Sequence, residues 1–182
     1  MSHLEEKTIE TKNIYSGKVV HLQVDEVLLP NGEKAQREII KHPGAVAVIP
    51  INKDRKIVFV KQYRKALEKA LLEIPAGKLE PGEAPETTAI RELEEETGYT
   101  TEHLSFVTSF YTSPGFADEC MHIYMTDELQ RLENPVAGDE DEFIEIVELT
   151  LDEAIKCVET EHIHDAKTNY AVLYLQSLRN SQ

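Results

Sequence analysis

Glu92, Glu94, Glu95 and Glu96 fall within five residues near the middle of the chain. At about 100° per residue, Glu92, Glu95 and Glu96 share one face of a helix. Ala89, Ile90, Leu93 and Thr97 fall on the opposite side, so such a helix buries one face and presents carboxylates on the other. Like charges three and four residues apart destabilise a helix by roughly a few tenths of a kcal/mol per pair. A cation held between them removes that cost. Oxygen ligands suit hard divalent ions, so magnesium is the expected occupant and manganese the alternative. A glutamate run alone is more often a solvated face, and its neighbours must decide.

Those neighbours bound the helix. Pro85 suits a first helical position, where its missing N–H leaves nothing unpaired. Gly98 suits the residue just past the carboxyl end, where a left-handed conformation is needed. The helix is therefore expected over about residues 85–97. Before it, the short apolar run Leu71–Ile74 contains Glu73 and closes at Pro75-Ala76-Gly77, read as a glycine turn.

Further elements must carry this helix. Lys18 to Leu29 alternates apolar and polar residues as a half-buried strand does, Pro30-Asn31-Gly32 turns, and Gln36 to Lys41 returns. The pair reads as an amino-terminal β-hairpin at one edge, and a dimer contact is one way to cover it. Ala45 to Ile51 is a continuous apolar run, consistent with a central strand. Lys56 to Tyr63 is another strand, with Arg64 at its end. Strands follow at Leu104–Tyr111 and His122–Thr126, separated by the loop Thr112–Glu119. An acidic loop, residues 138–142, leads into a strand at Phe143–Leu149. Thr150 and Glu153 form a capping box for a second helix. Asp165 caps a last helix, about 166–178. Strands, helix, strands and two helices make an α/β chain with a mixed sheet.

At 182 residues the length suits one domain with a small added segment: residues 1–41 as strands and 42–182 as the main domain. The net charge of -15 argues against binding a nucleic-acid backbone, which needs clustered Lys and Arg. It also makes an anionic substrate an electrostatic problem unless cations or local arginines reverse the field. Cys120 and Cys157 lack metal or redox spacing and read as small core residues. The amino terminus has no signal-peptide pattern, and no apolar run approaches the roughly 18 residues of a membrane span. A cytoplasmic protein with no membrane partner is expected.

Gly77, Glu83, Arg91-Glu92-Leu93, Glu95-Glu96 and Gly98-Tyr99, at these spacings, resemble the Nudix box. Its seven fixed polar or glycine positions coincide by chance on the order of once in 10⁸ windows. The family implies an α/β/α sandwich and divalent-metal hydrolysis of a nucleoside diphosphate linked to another moiety. Pro114, sixteen residues after Gly98, resembles the proline that accompanies the box in ADP-ribose pyrophosphatases. Gln62-Tyr63-Arg64, Glu73-Ile74-Pro75-Ala76-Gly77 and the acidic loop Asp139–Phe143 echo their pattern too. That subfamily implies hydrolysis of ADP-ribose to AMP and ribose 5-phosphate, in a homodimer. The alternatives are another nucleoside diphosphate sugar or dinucleotide as substrate, or a module that senses ADP-ribose without cleaving it.

The resemblance implies roles for named residues. Glu92, Glu95 and Glu96, with the backbone carbonyl of Ala76, would hold the metal. Catalysis would fall to Glu142 or Glu140 as general base, together with Glu96. Arg64 would contact a phosphate, and Arg37 would stack on adenine, in its own subunit or in a partner's. Glu73 and Glu119 would accept ribose hydroxyls, and Ser113 and Pro114 would shape the terminal ribose pocket. Arg91, pointing off the glutamate face, would orient Glu83 or its neighbours.

Overall fold

The computed structural model describes residues 3–134 and 143–181. The amino-terminal segment forms β1 (Lys7–Ser16), β2 (His21–Leu28) and β3 (Lys34–Lys41), an antiparallel sheet in that order. β2 and β3 are the expected hairpin, with Asp25 opposite Arg37 and Gly32 in the turn at φ 87°. β1 corrects the expectation, because the hairpin has a third strand. All ten residues of β1 are exposed. No buried face imposes an alternating pattern on them, so periodicity does not mark this strand.

The remaining elements are β4 (Ala45–Pro50), β5 (Ile57–Arg64), β6 (Lys69–Glu73), β7 (Ala76–Lys78), α1 (Pro85–Thr97), β8 (Tyr99–Thr100), β9 (Ser105–Tyr111), β10 (Cys120–Thr126), β11 (Gln130–Arg131), β12 (Ile144–Leu149), α2 (Leu151–Glu159) and α3 (Ala166–Asn180). One sheet has the order β7-β4-β10-β9 and another β12-β5-β6, with β11-β8 as a short pair. β10 runs parallel to β4 while β7 runs antiparallel to it, so the sheet is mixed. All six residues of β4 are buried, as its apolar run requires of a strand covered on both faces.

The chain folds as two compact units. The first takes Met1–Gly44 with Phe110–Cys120, and the second Ala45–Ser109 with Met121–Gln182. In the second unit α1 lays Ala89 and Leu93 against Val46, Val48, Val58, Tyr124 and Leu129. Each of these burials contributes about 1.5–3 kcal/mol for the larger side chains. α2 packs against β12 and against α3. Thr150 and Glu153 form the expected capping box, and Asp165 caps α3 through the Thr168 N–H. Among the described residues, no helix is long and apolar enough to cross a membrane.

Candidate active site

α1 begins at Pro85 and ends at Gly98, whose φ of 69° and N–H bond to the Glu94 carbonyl close the helix. These stops place the glutamates. Leu93 is fully buried, which fixes the helix's rotation. Glu96 borders that buried face and is itself only 8% exposed. Its Oε2 accepts the Ala76 N–H at 2.9 Å. Gly77 lies in β7 with an ordinary backbone, so the expected glycine turn is replaced by a short strand paired with β4. Its missing side chain serves a different purpose: a Cβ there would lie 2.0 Å from Cδ of Glu92. Gly77 therefore leaves the space that the Glu92 carboxylate fills.

Arg91 ties the acidic side chains together. Nη1 donates to Glu92 at 2.9 Å and to Glu95 at 3.0 Å, and Nη2 donates to Glu83 at 3.3 Å. The link to Glu83 is the expected one, but the guanidinium also reaches back to the helix's own carboxylates. Burial works against its charge, yet Glu83, Glu92 and Glu95 outweigh burial and raise its pKa. Glu83 also accepts the Thr88 hydroxyl at 2.7 Å. That bond, followed by Arg91, holds the Glu83 carboxyl below its usual range. Glu92, Glu95 and Glu96, with the Ala76 carbonyl, would offer a cation oxygen donors only, and Gly77 leaves the room that the Glu92 carboxylate takes. That chemistry fits a hard divalent cation. Among the described residues, no three acidic, His or Cys side chains already converge on one point.

Arg64, at the end of β5, forms a two-pronged pair with Glu73 on β6. Nε donates at 2.7 Å and Nη2 at 2.8 Å. Glu73 also accepts from Lys167, whose ammonium holds Asp165 Oδ1 at 2.9 Å. Burial would raise the Glu73 pKa, but Arg64 and Lys167 outweigh it and hold the carboxyl at about 2. Glu73 is only 2% exposed and its oxygens are engaged by two cations. In this structure Glu73 anchors Arg64. The Arg64 side chain remains 41% exposed. Its pKa is raised by the Glu73 bonds first, and also by the charges of Glu96 and Asp165. Arg64 and Glu96 of α1 thus lie within one another's field in one unit.

The NUDIX domain family model matches residues 41–171. The chain belongs to the Nudix family. It is 58% identical over 176 residues to an ADP-ribose pyrophosphatase of Bacillus subtilis (strain 168), spanning 97% of this chain and 95% of that protein. It is 59% identical over 172 residues to a methanol dehydrogenase activator of Bacillus methanolicus, spanning 94% and 93%. A solved structure described as an ADP compounds hydrolase superposes with a TM-score of 0.86 at 21% identity, covering 100% of this chain and 98% of its own. That likeness establishes the Nudix fold expected from the sequence.

Four further residues assigned through the Nudix resemblance, Arg37, Ser113, Pro114 and Glu119, lie in the first unit. Arg37 on β3 is half-exposed and grips Glu6 with two bonds, at 2.8 and 2.6 Å. The loop with Ser113 and Pro114 is fastened to the end of β3. Ile40 N–H donates to the Phe116 carbonyl at 2.7 Å, and Asp118 accepts the His42 N–H at 2.8 Å and the Lys41 ammonium at 2.7 Å. The Ser113 carbonyl accepts from Phe116 and Ala117, which sets the loop's turn. Glu119 accepts the Thr112 hydroxyl and stands 3.8 Å from His42. Glu140 and Glu142 lie outside the described residues. A cleft of about 490 Å³ lined by Lys61, Gln62, Tyr63, Ala70, Phe143, Ile144 and Glu145 contains none of the candidate residues. Sequence reasoning missed Lys167. A signal was available: a cation in the first turn of a helix opposes the macrodipole and needs a reason.

Proposed function

We propose that this chain hydrolyses the diphosphate of ADP-ribose to AMP and ribose 5-phosphate, using magnesium or manganese. The observation that carries the chemistry is Glu96, buried against the Ala76 N–H and within the field of Arg64. Carboxylates for a cation and an arginine for a phosphate then belong to one unit. The choice of ADP-ribose rests on the 58% identical pyrophosphatase. A bound divalent ion would neutralise the diphosphate oxygens and make the attacking water more acidic.

The chain's own residues do the rest. Glu92, Glu95, Glu96 and the Ala76 carbonyl would hold the ion. Arg91 offsets the repulsion among the acidic side chains and keeps Glu83 and Glu95 in place. Arg64, held by Glu73, receives a phosphate. Glu142 takes the proton from water, with Glu140 the second candidate. Arg37 faces adenine, while Ser113, Pro114 and Glu119 shape the pocket for the terminal ribose. A homodimer covers the exposed apolar side chains of β1, Ile9, Ile14 and Tyr15, and the protein works in the cytoplasm.

Values of kcat/KM for ADP-ribose, ADP-glucose and diadenosine compounds, measured side by side, test the substrate. ADP-ribose is expected to lead, and a roughly tenfold preference for another compound overturns the assignment. A sensing module is disfavoured because every glutamate of the box is in place. The 59% identity to an activator favours a second reading, in which this chain raises methanol dehydrogenase turnover. Dehydrogenase rates with this chain and with its Glu96→Gln variant separate activation from hydrolysis and show whether one needs the other.

A further inference from the structure

We infer that Lys167 is a positioning residue that keeps the Arg64 guanidinium electrostatically available to the substrate's diphosphate. This rests on the reading of Arg64 as the phosphate contact. Glu73 gives Arg64 its orientation through two hydrogen bonds, at 2.7 and 2.8 Å. The same carboxylate is a nearby negative charge. Alone, it would cancel much of the attraction that Arg64 exerts on an anion. Lys167 meets Glu73 Oε2 from α3, and its side chain is only 10% exposed. Glu73 thus sits between two cations, one buried behind it and one half-exposed in front of it.

Asp165 does not undo this arrangement. Its Oδ1 accepts both the Lys167 ammonium and the Thr168 N–H at the start of α3, where the helix dipole offsets a negative charge. The position is also held mechanically. Ile74 N–H, one residue after Glu73, donates to the Thr168 hydroxyl at 3.0 Å, which ties β6 to the same turn of α3. Lys167 stands in that first turn against the dipole's preference. The carboxylates of Glu73 and Asp165 favour a cation there. The -15 net charge sharpens the need, because an anionic substrate approaches an anionic protein.

The test compares KM and kcat for ADP-ribose in Lys167→Met, Lys167→Arg, the double variant Glu73→Gln/Lys167→Met and Arg64→Gln, each checked for folding by thermal melting. Lys167→Met is expected to raise KM about tenfold while kcat stays within about threefold, because substrate attraction weakens and the reacting groups remain. Lys167→Arg is expected to restore KM to within about threefold of the parent, since it restores the charge. The double variant is expected to recover most of the loss, because it removes the carboxylate charge that Lys167 offsets while the remaining amide oxygen still accepts from Arg64. If Lys167→Met does not fold, the double variant and Lys167→Arg still decide. A double variant with KM still raised tenfold or more, or a Lys167→Met enzyme with parental KM, overturns the inference. Arg64→Gln separates the two levels. An unchanged KM there removes the phosphate role of Arg64 and this inference with it. A raised KM there with a parental Lys167→Met KM removes only the role of Lys167.

Discussion

Gly77 and Glu92 share one small volume, and only glycine leaves room for the carboxylate. Because the obstruction would fall on the end of a flexible side chain, a methyl group at 77 is expected to displace Glu92 without unfolding the chain. Gly77→Ala should lower kcat/KM for ADP-ribose more than roughly tenfold while the melting temperature moves by only a few degrees. An enzyme with parental kcat/KM would show that Glu92 does not need that position. Glu142→Gln should lower kcat by about two orders of magnitude or more with KM nearly constant, as loss of a general base does. Near-normal turnover would remove Glu142 and turn attention to Glu140. Residue identity was legible at the glutamates because their spacing is local: Glu92, Glu95 and Glu96 lie within about one turn of α1. The burial of Glu96 under the Ala76 N–H and the approach of Lys167 to Glu73 were not legible. The partners lie twenty and ninety-four positions apart, and only tertiary packing brings them together.

At the scale of elements, β5, β6 and α3 are joined by one buried carboxylate. The Glu73 carboxyl falls from an ordinary 4.5 to about 2 on folding, so its ionised form is favoured by the native state. A depressed pKa contributes stability that is present above the unfolded value and lost as pH falls towards the folded one. The window therefore runs from about pH 4.5 down to about 2, and a shift of that size corresponds to roughly 3 kcal/mol. Urea midpoints measured from pH 6 to pH 3 should fall steeply for the parent chain and less steeply for Glu73→Gln, which is also expected to be less stable at pH 6. Parallel curves for the two chains would deny Glu73 this role. Elements with a buried face could be read from the sequence: β4 from its apolar run, α1 from its Pro and Gly stops, α2 from its capping box. β1 could not, because every one of its residues is exposed. β7 reads as a turn in the sequence, because three residues are too few to show a period and Gly77 suggests a bend where it serves close packing.

At the scale of the whole molecule, a chain with a net charge of -15 must draw in a doubly charged diphosphate. Local cations have to reverse the field, and Arg64 supported by Lys167 would be one such source. A divalent ion among Glu92, Glu95 and Glu96 would be the other. The adenine and ribose contacts assigned to Arg37, Ser113, Pro114 and Glu119 fall in the first unit, and the hydrolytic residues assigned to α1 fall in the second. On those assignments, bond cleavage and substrate choice would fall to different parts of the chain. The box made the first legible and left the second to a few short motifs. The most direct measurement follows ADP-ribose turnover by the full chain with magnesium, then with excess chelator, then with magnesium restored. Metal-dependent hydrolysis requires AMP and ribose 5-phosphate in equal amounts, a fall of roughly a hundredfold or more under chelation, and full recovery when magnesium returns. Turnover that persists under chelation would contradict it.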